Sequence, residues 1–159
     1  KTGIHAREWI TQANGTWFAN KLVSDHEKSP GLKAIPDRFD IFLEIVTNPD
    51  GYYYYTHNSD CWWLKTRKPM PGFNHNGVDA NRNWATGFVG PGSSIYPCSP
   101  IYCGPRAHSE PEVKAILDFV NSHGNLKAFV SIHSYTWMFL SLYGYTMTPC
   151  KDQAELVST

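Results

Sequence analysis

Three residues of this chain could together bind a catalytic metal. His5 and Glu8 form an H-x-x-E pair near the start, and His133 lies far downstream. Two imidazoles and one carboxylate are the ligand set of a catalytic zinc site, in which water takes the fourth position, whereas structural zinc sites are more often closed by four protein ligands. These residue types therefore predict one Zn²⁺ and hydrolytic chemistry.

The spacing of His5 and Glu8 depends on the element that follows them. Apolar residues recur at helical spacing over residues 8–24 and predict a helix with one apolar face: Ile10, Ala13, Trp17, Phe18 and Leu22. Side chains three apart lie on neighbouring turns, so the pair converges on one ion if the helix begins beside it.

His133 ends a different kind of segment. Residues 126–132 are apolar and partly β-branched, which predicts a buried strand. The carboxyl end of such a strand faces the crevice where open α/β sheets bind ligands. The remaining histidines have no such context and are expected to be surface or core residues: His26, His57, His75, His108 and His123.

Four separated motifs carry a family resemblance. They are GIHAREW at 3–9, IVTNPDGY at 45–52, GVDANRNW at 77–84 and IHSY at 132–135. In this order they resemble the zinc metallocarboxypeptidases of the carboxypeptidase A/B type from one end of the chain to the other. The resemblance implies that His5, Glu8 and His133 are the zinc ligands. It also implies that Asp79 is the carboxylate that orients the first zinc histidine, a partner that metal-bound imidazoles usually have.

The same resemblance implies a substrate site. Arg7 resembles the arginine that contacts the substrate backbone away from its terminus. Asn81 and Arg82 resemble the pair that binds the terminal carboxylate, and a planar guanidinium suits a carboxylate in bidentate fashion. Ser134 and Tyr135 would line the adjoining subsite. The implied reaction is the removal of the C-terminal residue from peptides and proteins.

The chain departs from the family pattern at two catalytic positions. WLKTR at 63–67 places Leu64 where the family has the arginine that stabilises the oxyanion, and loss of one such donor costs about 10²–10³ in rate. No residue here corresponds to the family's general-base glutamate or mobile tyrosine, so no catalytic residue is assigned. We expect little hydrolysis from these residues alone, and a non-catalytic module that binds zinc and peptide termini is the alternative.

The four cysteines do not match the disulfides of the family: Cys61, Cys98, Cys103 and Cys150. Cys98 corresponds to a bridge position whose partner position is His75. Cys103 corresponds to a second bridge, whose partner position is near Val89. Four cysteines allow three full pairings, and the sequence does not choose among them. Cys98 with Cys103, and Cys61 with Cys150, both stay open.

Composition sets the class of protein. The chain has 159 residues, no formal net charge, 42% hydrophobic residues and 14% aromatic residues. These values favour one globular domain and give no reason to expect a nucleic-acid or membrane partner. Because the zinc motif opens the chain, we expect residues 1–159 to be a partial catalytic domain from a longer protein. A second alternative to the enzyme interpretation is that the chain is a truncated product without stable function.

The remaining elements predict an α/β fold. Residues 39–47 are predicted as a strand, 48–51 as a turn and 29–31 as a linker, while 68–105 are mostly loop. Ser109 and Glu112 predict a capping box for a second helix, which Gly124 ends. The resemblance implies an α/β/α domain with a central mixed, largely parallel sheet. It also implies a secreted or granule-stored protein with an inhibitory prosegment.

Overall fold

A computed structural model describes residues 1–57, 60–73 and 77–156. Within these ranges the helices are α1 Trp9–Ser24, α2 Pro30–Ala34, α3 Pro49–His57, a 3-10 helix Ala80–Arg82, α4 Pro111–His123 and α5 Gln153–Leu156. The described residues contain no β-strand, and one isolated parallel bridge joins Ser94 to Tyr102. His75 lies outside the described residues.

The predicted first helix is confirmed as α1, but of its predicted apolar face only Leu22 is buried. Ile10 and Trp17 are both more than half exposed. The buried residues are instead mostly small or polar: Thr11, Gln12, Gly15 and Leu22. The reason is that this face contacts the backbone at the start of the chain, where the Gly3 N–H donates to Thr11 Oγ1 over 3.0 Å.

The second predicted helix is confirmed as α4, with a different start. Its N-cap is Glu110 and no side chain caps it, so the predicted capping box is wrong. The Ser109 hydroxyl instead donates to Glu110 Oε1 over 3.0 Å. Gly124 ends the helix as predicted, with a left-handed φ of 70°. The apolar face of α4 buries two residues: Val113 and Ile116.

The two predicted strands are wrong as regular elements. Residues 39–47 and 126–132 have no strand hydrogen-bond ladder, and the second segment is mostly exposed rather than buried. Both segments nevertheless form backbone hydrogen bonds with residues at the start of the chain. Thr2 N–H donates to Glu44 O over 2.9 Å, and Ile132 N–H donates to Lys1 O over 3.0 Å.

Residues 48–51 begin a helix rather than forming an isolated turn. Asn48 is buried, and its Oδ1 accepts the Gly51 N–H over 2.9 Å at the start of α3. Its Nδ2 donates to Lys65 O over 3.0 Å and to Ile4 O over 3.2 Å. Asn48 therefore ties the metal motif to residues 64–66. The predicted linker at 29–31 likewise differs, because α2 begins at Pro30.

Residues 64–66 are in turn hydrogen-bonded to residues 77–79. Thr66 N–H donates to Val78 O over 2.9 Å. Gly77 has a φ of +76°, and a Cβ there would lie 1.8 Å from Thr66 O. Only glycine fits this approach. Asp79 N–H then donates to Tyr102 O over 2.8 Å, which fixes the backbone on the other side.

A small apolar core lies behind these loops. Ile4, Ala80 and Val113 form a buried cluster, and Trp84 packs against it. The cluster joins the metal motif, the 3-10 helix and α4, so the three segments that position the site share one packed core.

All four cysteines are free thiols, so neither pairing left open by the sequence is formed. Cys103 is buried, and its Sγ donates weakly to Gly104 O at 3.7 Å. Among the described helices, none has the length and apolar character needed to cross a bilayer.

Candidate metal centre

The structure brings His5, Glu8 and His133 together. Their ligand atoms all lie within 4.8 Å of one another. His5 Nδ1 is 2.8 Å from Glu8 Oε1, and His133 Nδ1 is 3.2 Å from Glu8 Oε2. The two imidazole centroids are 5.0 Å apart. The carboxylate thus lies between two rings that come from distant parts of the chain.

The donor set fits zinc. Tetrahedral Zn²⁺ with bonds of about 2.0–2.1 Å places its ligand atoms roughly 3.4 Å apart. The separations of 2.8 and 3.2 Å between Glu8 and the two rings are close to that value. Both imidazoles present Nδ1 to the carboxylate, so a small movement of the three side chains would let one ion replace these hydrogen bonds.

The outer nitrogen of each imidazole has its own partner. His5 Nε2 is 3.0 Å from Asp79 Oδ1, and His133 Nε2 is 3.1 Å from Ser131 Oγ. Such partners fix the tautomer and orientation of metal-binding imidazoles. Asp79 is therefore in the position expected of an orienting carboxylate.

Asp79 also caps the 3-10 helix. Its Oδ1 accepts the Asn81 N–H over 2.9 Å, and the residue is 1% exposed. One carboxylate oxygen thus contacts both the first imidazole and the backbone of the predicted terminus-binding pair. The metal motif and residues 81–82 are coupled through this atom.

The charges of the site stabilise one another. Burial alone would raise the pKa of Glu8, but hydrogen bonds from His133 and His5 outweigh it and lower that pKa to about 2. Burial alone would lower the pKa of His5, but its hydrogen bonds to Asp79 and Glu8 outweigh it and raise that pKa above its ordinary value. Without a metal, Glu8 is thus held as an anion beside imidazoles, as a metal ligand must be.

Backbone contacts position the ligands. Glu8 is the N-cap residue of α1, and its carbonyl accepts the Thr11 hydroxyl over 2.8 Å. Ala6 N–H donates to Leu64 O over 3.1 Å, so position 64 lies directly beside the metal motif. His5 itself is buried between these anchors.

Position 64 has no cationic substitute from its own segment. The Arg67 guanidinium lies 3.7 Å from the Tyr54 ring centroid and 4.3 Å from that of Trp63. Lys65 Nζ donates to Pro97 O over 2.7 Å. Both cations are therefore held by other partners.

The predicted substrate residues occupy different environments. Arg82 is half-buried, with Nε donating to Gly92 O over 2.9 Å and Nη1 to Asn81 O over 3.2 Å. Ser134 N–H donates to Glu8 Oε2 over 3.2 Å. Arg7 is exposed and Tyr135 is 90% exposed. The structure thus brings Ser134 to the triad and leaves Arg7 and Tyr135 in solvent.

Two residues near the site were missed in the sequence. Ser131 precedes His133 by two positions, and in extended chain such residues face the same side, so its contact could have been predicted. Lys1 has a buried Nζ without a hydrogen-bond partner among the described residues. No sequence pattern indicates that burial.

Comparisons with known proteins identify the family of the chain. The zinc carboxypeptidase family model matches residues 1–159. The chain is 56% identical to carboxypeptidase A1 of Rattus norvegicus and 54% identical to that of Homo sapiens, each over 155 residues. These matches cover 98% of this chain but 37% of the relatives, so the chain spans little more than a third of their length.

Solved structures give the same result for the fold. Thrombin activatable fibrinolysis inhibitor matches with a TM-score of 0.91 and 38% identity, over 97% of this chain and 39% of that protein. Carboxypeptidase A from Helicoverpa armigera matches with a TM-score of 0.82 and 33% identity, over 98% of this chain and 37% of that protein. The described residues therefore have a carboxypeptidase-like fold, while the predicted central sheet is not confirmed.

Proposed function

The chain belongs to the zinc carboxypeptidase family, and on this basis we propose that it is the zinc-binding part of an enzyme that hydrolyses the C-terminal peptide bond of peptides and proteins. The observation that carries the proposal is the convergence of His5, Glu8 and His133, with Asp79 behind the first imidazole. Among the described residues no fourth protein ligand joins these three, which leaves the open position that a catalytic zinc site requires.

His5 and His133 would bind the ion through Nδ1, and Glu8 through its carboxylate. Zinc in such a site supplies Lewis-acid polarisation of a carbonyl and lowers the pKa of water. Asp79 and Ser131 hold the two rings in the orientation that presents Nδ1. The chain's own contribution is thus a preset ligand geometry.

Recognition of the terminus is assigned to Asn81 and Arg82. A guanidinium binds a carboxylate through two parallel hydrogen bonds, and an amide adds a neutral donor. The Gly92 carbonyl holds Arg82 Nε, which limits how the guanidinium can turn. Fixing the free carboxylate at a set distance from the metal would restrict cleavage to the last bond and would position that bond for attack.

A second candidate function is a non-catalytic module that binds zinc and peptide termini. Leu64 favours it, because position 64 lies against Ala6 and carries no cation. Leu64→Arg, made in a longer chain that carries a downstream general base, distinguishes the two. An enzyme that lacks only this donor gains turnover by about 10²–10³. A binding module gains none.

Metal analysis tests the ligand set. We expect about one zinc per chain after dialysis, and His5→Ala or His133→Ala should remove it. The matched control is His26→Ala, which removes a histidine paired with Glu27 and Asp37 far from the triad. Retention of zinc by both triad variants would overturn the assignment.

Peptides with free and amidated C-termini test recognition. The free form should bind more tightly, and Arg82→Ala should abolish the difference, because the amide has no charge for the guanidinium. Arg106→Ala, at an exposed arginine, is the control. Equal affinity for both peptides in the unaltered chain would exclude the role of Asn81 and Arg82.

The family resemblance also supports a secreted or granule-stored protein that an inhibitory prosegment keeps inactive. Expression of the full reading frame in animal cells tests this. The mature protein should appear in the medium, and a larger precursor should be inactive until it is cleaved. An active precursor that stays in the cytosol would contradict both parts.

A further inference from the structure

The Lys1 ammonium is buried and has no hydrogen-bonding anion among the described residues. Its Nζ has almost no accessible surface and no hydrogen bond among the described residues. The Trp84 ring centroid is 5.9 Å from Nζ. Burial lowers the pKa of this amine to about 8, although Glu44, Glu8 and Asp79 act on it from beyond ion-pair distance and raise it. An isolated buried charge is costly unless an anion accompanies it.

A cavity adjoins this cation. It has a volume of about 270 Å³, and Lys1, Trp84 and Asn81 line one side. The apolar face of α4 lines the rest through Ile116, Leu117 and Val120, together with Phe129 and Ser131. None of the three triad residues lines it, but Ser131 is the partner of His133 Nε2, so the cavity adjoins the metal centre.

The lining decides which ligand fits. The cavity is open to solvent, and its lining is almost wholly apolar. A benzene-sized molecule needs about 150 Å³, so this larger volume has room for a longer hydrocarbon. An inorganic anion would satisfy the ammonium but would leave the apolar walls uncovered.

We propose that this cavity binds a small carboxylate with an apolar tail, its carboxylate on Lys1 Nζ and its tail against α4, Phe129 and Trp84. The carboxylate supplies the missing acceptor in a charge-assisted hydrogen bond. The tail buries apolar surface against the helix. No metal ligand takes part, although Asn81 lines this cavity and also belongs to the proposed terminus-binding pair.

Calorimetric titration of the metal-free chain tests the proposal, with octanoate as the probe and octanamide as its uncharged counterpart. Removing the metal excludes carboxylate binding at the triad, and a parallel titration of metal-free Arg82→Ala excludes binding at the proposed terminus-binding guanidinium. Failure here is therefore distinct from failure of the proposed function. Octanoate should bind at least about tenfold more tightly, the difference expected of a charge-assisted hydrogen bond. Equal affinities would overturn the proposal.

Two variants locate the site. Lys1→Met should weaken octanoate binding by about tenfold and leave octanamide unchanged. Lys127→Met, at an exposed lysine, is the matched control and should bind octanoate normally. Unchanged octanoate binding by Lys1→Met would overturn the proposal.

Val120→Trp, which fills the cavity, keeps the test decisive if Lys1→Met does not fold. It should abolish octanoate binding, and in the unaltered chain octanoate should shift the NMR signal of the Trp84 indole N–H. Octanoate binding that survives Val120→Trp, or an unmoved Trp84 signal on saturation, would overturn the proposal.

Discussion

At the scale of single residues, Asp79 connects the metal ligands to the terminus-binding loop. One of its carboxylate oxygens contacts both the His5 ring and the Asn81 N–H. Asp79→Asn replaces the carboxylate that accepts from His5 Nε2. We expect zinc affinity to fall about 10–100-fold, as for other outer partners of metal-bound imidazoles. Competition with a chromogenic chelator measures this. Asp118→Asn, at an exposed carboxylate on α4, should leave the affinity unchanged.

Glu8 and His5 give the metal-free protein a pH-dependent stability. The pKa of Glu8 falls from 4.5 to about 2 on folding, so its stabilisation is present above pH 4.5 and is lost as the pH falls toward 2. The pKa of His5 is raised from 6.5, so its stabilisation is present below pH 6.5 and is lost as the pH rises through its folded pKa. Both contributions are therefore present together between pH 4.5 and 6.5.

Urea unfolding of metal-free Glu8→Gln tests this window. The variant should lose more unfolding free energy relative to the unaltered protein at pH 5.5 than at pH 3, because at pH 3 Glu8 has already lost part of its advantage. Glu27→Gln, at an exposed carboxylate, is the control. A loss at pH 3 equal to or greater than that at pH 5.5 would contradict the assigned role of the carboxylate.

That His5, Glu8 and His133 lie together could be predicted from their residue types and from the order of the family motifs. His5, Glu8 and Asp79 belong to motifs whose order identified them before any contact was known. Exposure could not be predicted in the same way. Tyr135 was assigned to a subsite but is exposed, and Lys1 Nζ is buried without a hydrogen-bond partner among the described residues. Burial depends on which distant segments meet, and no local pattern records that.

At the scale of elements, the end of α4 depends on a residue that accepts a left-handed conformation. Gly124 has a φ of 70°, and a Cβ added at this position would meet nothing within 4 Å, so space is not the constraint. Gly124→Ala should lower the unfolding free energy by about 1 kcal/mol because alanine is strained at positive φ. Chemical denaturation measures the change.

Gly144→Ala is the matched control for that experiment. Its Cβ would also meet nothing within 4 Å, and its φ is not in the left-handed region. Its substitution should be neutral or slightly stabilising, since alanine reduces the entropy of the unfolded chain. Equal destabilisation by both substitutions would show that backbone conformation at Gly124 is not the cause.

Helices were easier to predict than strands for a physical reason. The hydrogen bonds of α1 and α4 lie within each segment, so a local pattern is enough. A strand needs neighbours, and residues 39–47 and 126–132 bond mainly to the few residues at the start of the chain. The face of α1 was mispredicted because packing is too close for large side chains: a Cβ at Gly15 would lie 2.9 Å from Ile45 Cδ1.

At the scale of the whole molecule, the metal would join segments that lie 125 positions apart in the sequence. Zinc at 100 times its Kd stabilises the folded state by about 2.7 kcal/mol, which corresponds to a rise in Tm of roughly 5–10 °C for a chain of this size. Calorimetric scans with zinc and with chelator measure it. His133→Ala should remove the shift, and an undiminished shift in that variant would contradict the bridging role.

The surface of the molecule bears on the alternative of a fragment without stable function. Large apolar side chains are exposed along residues 135–147, including Trp137, Phe139 and Met147. Apolar patches of this kind favour association. We expect light scattering to show self-association that grows with concentration. A monomer that unfolds cooperatively at high concentration would argue against this alternative.

Gly77 shows that the geometry of the metal centre depends on a residue that does not contact the metal. Any side chain at this position would collide with the Thr66 carbonyl and push the following residues, Asp79 among them, away from His5. An inherited change here would touch neither metal nor peptide. It would still lower zinc affinity, as the loss of Asp79 itself would.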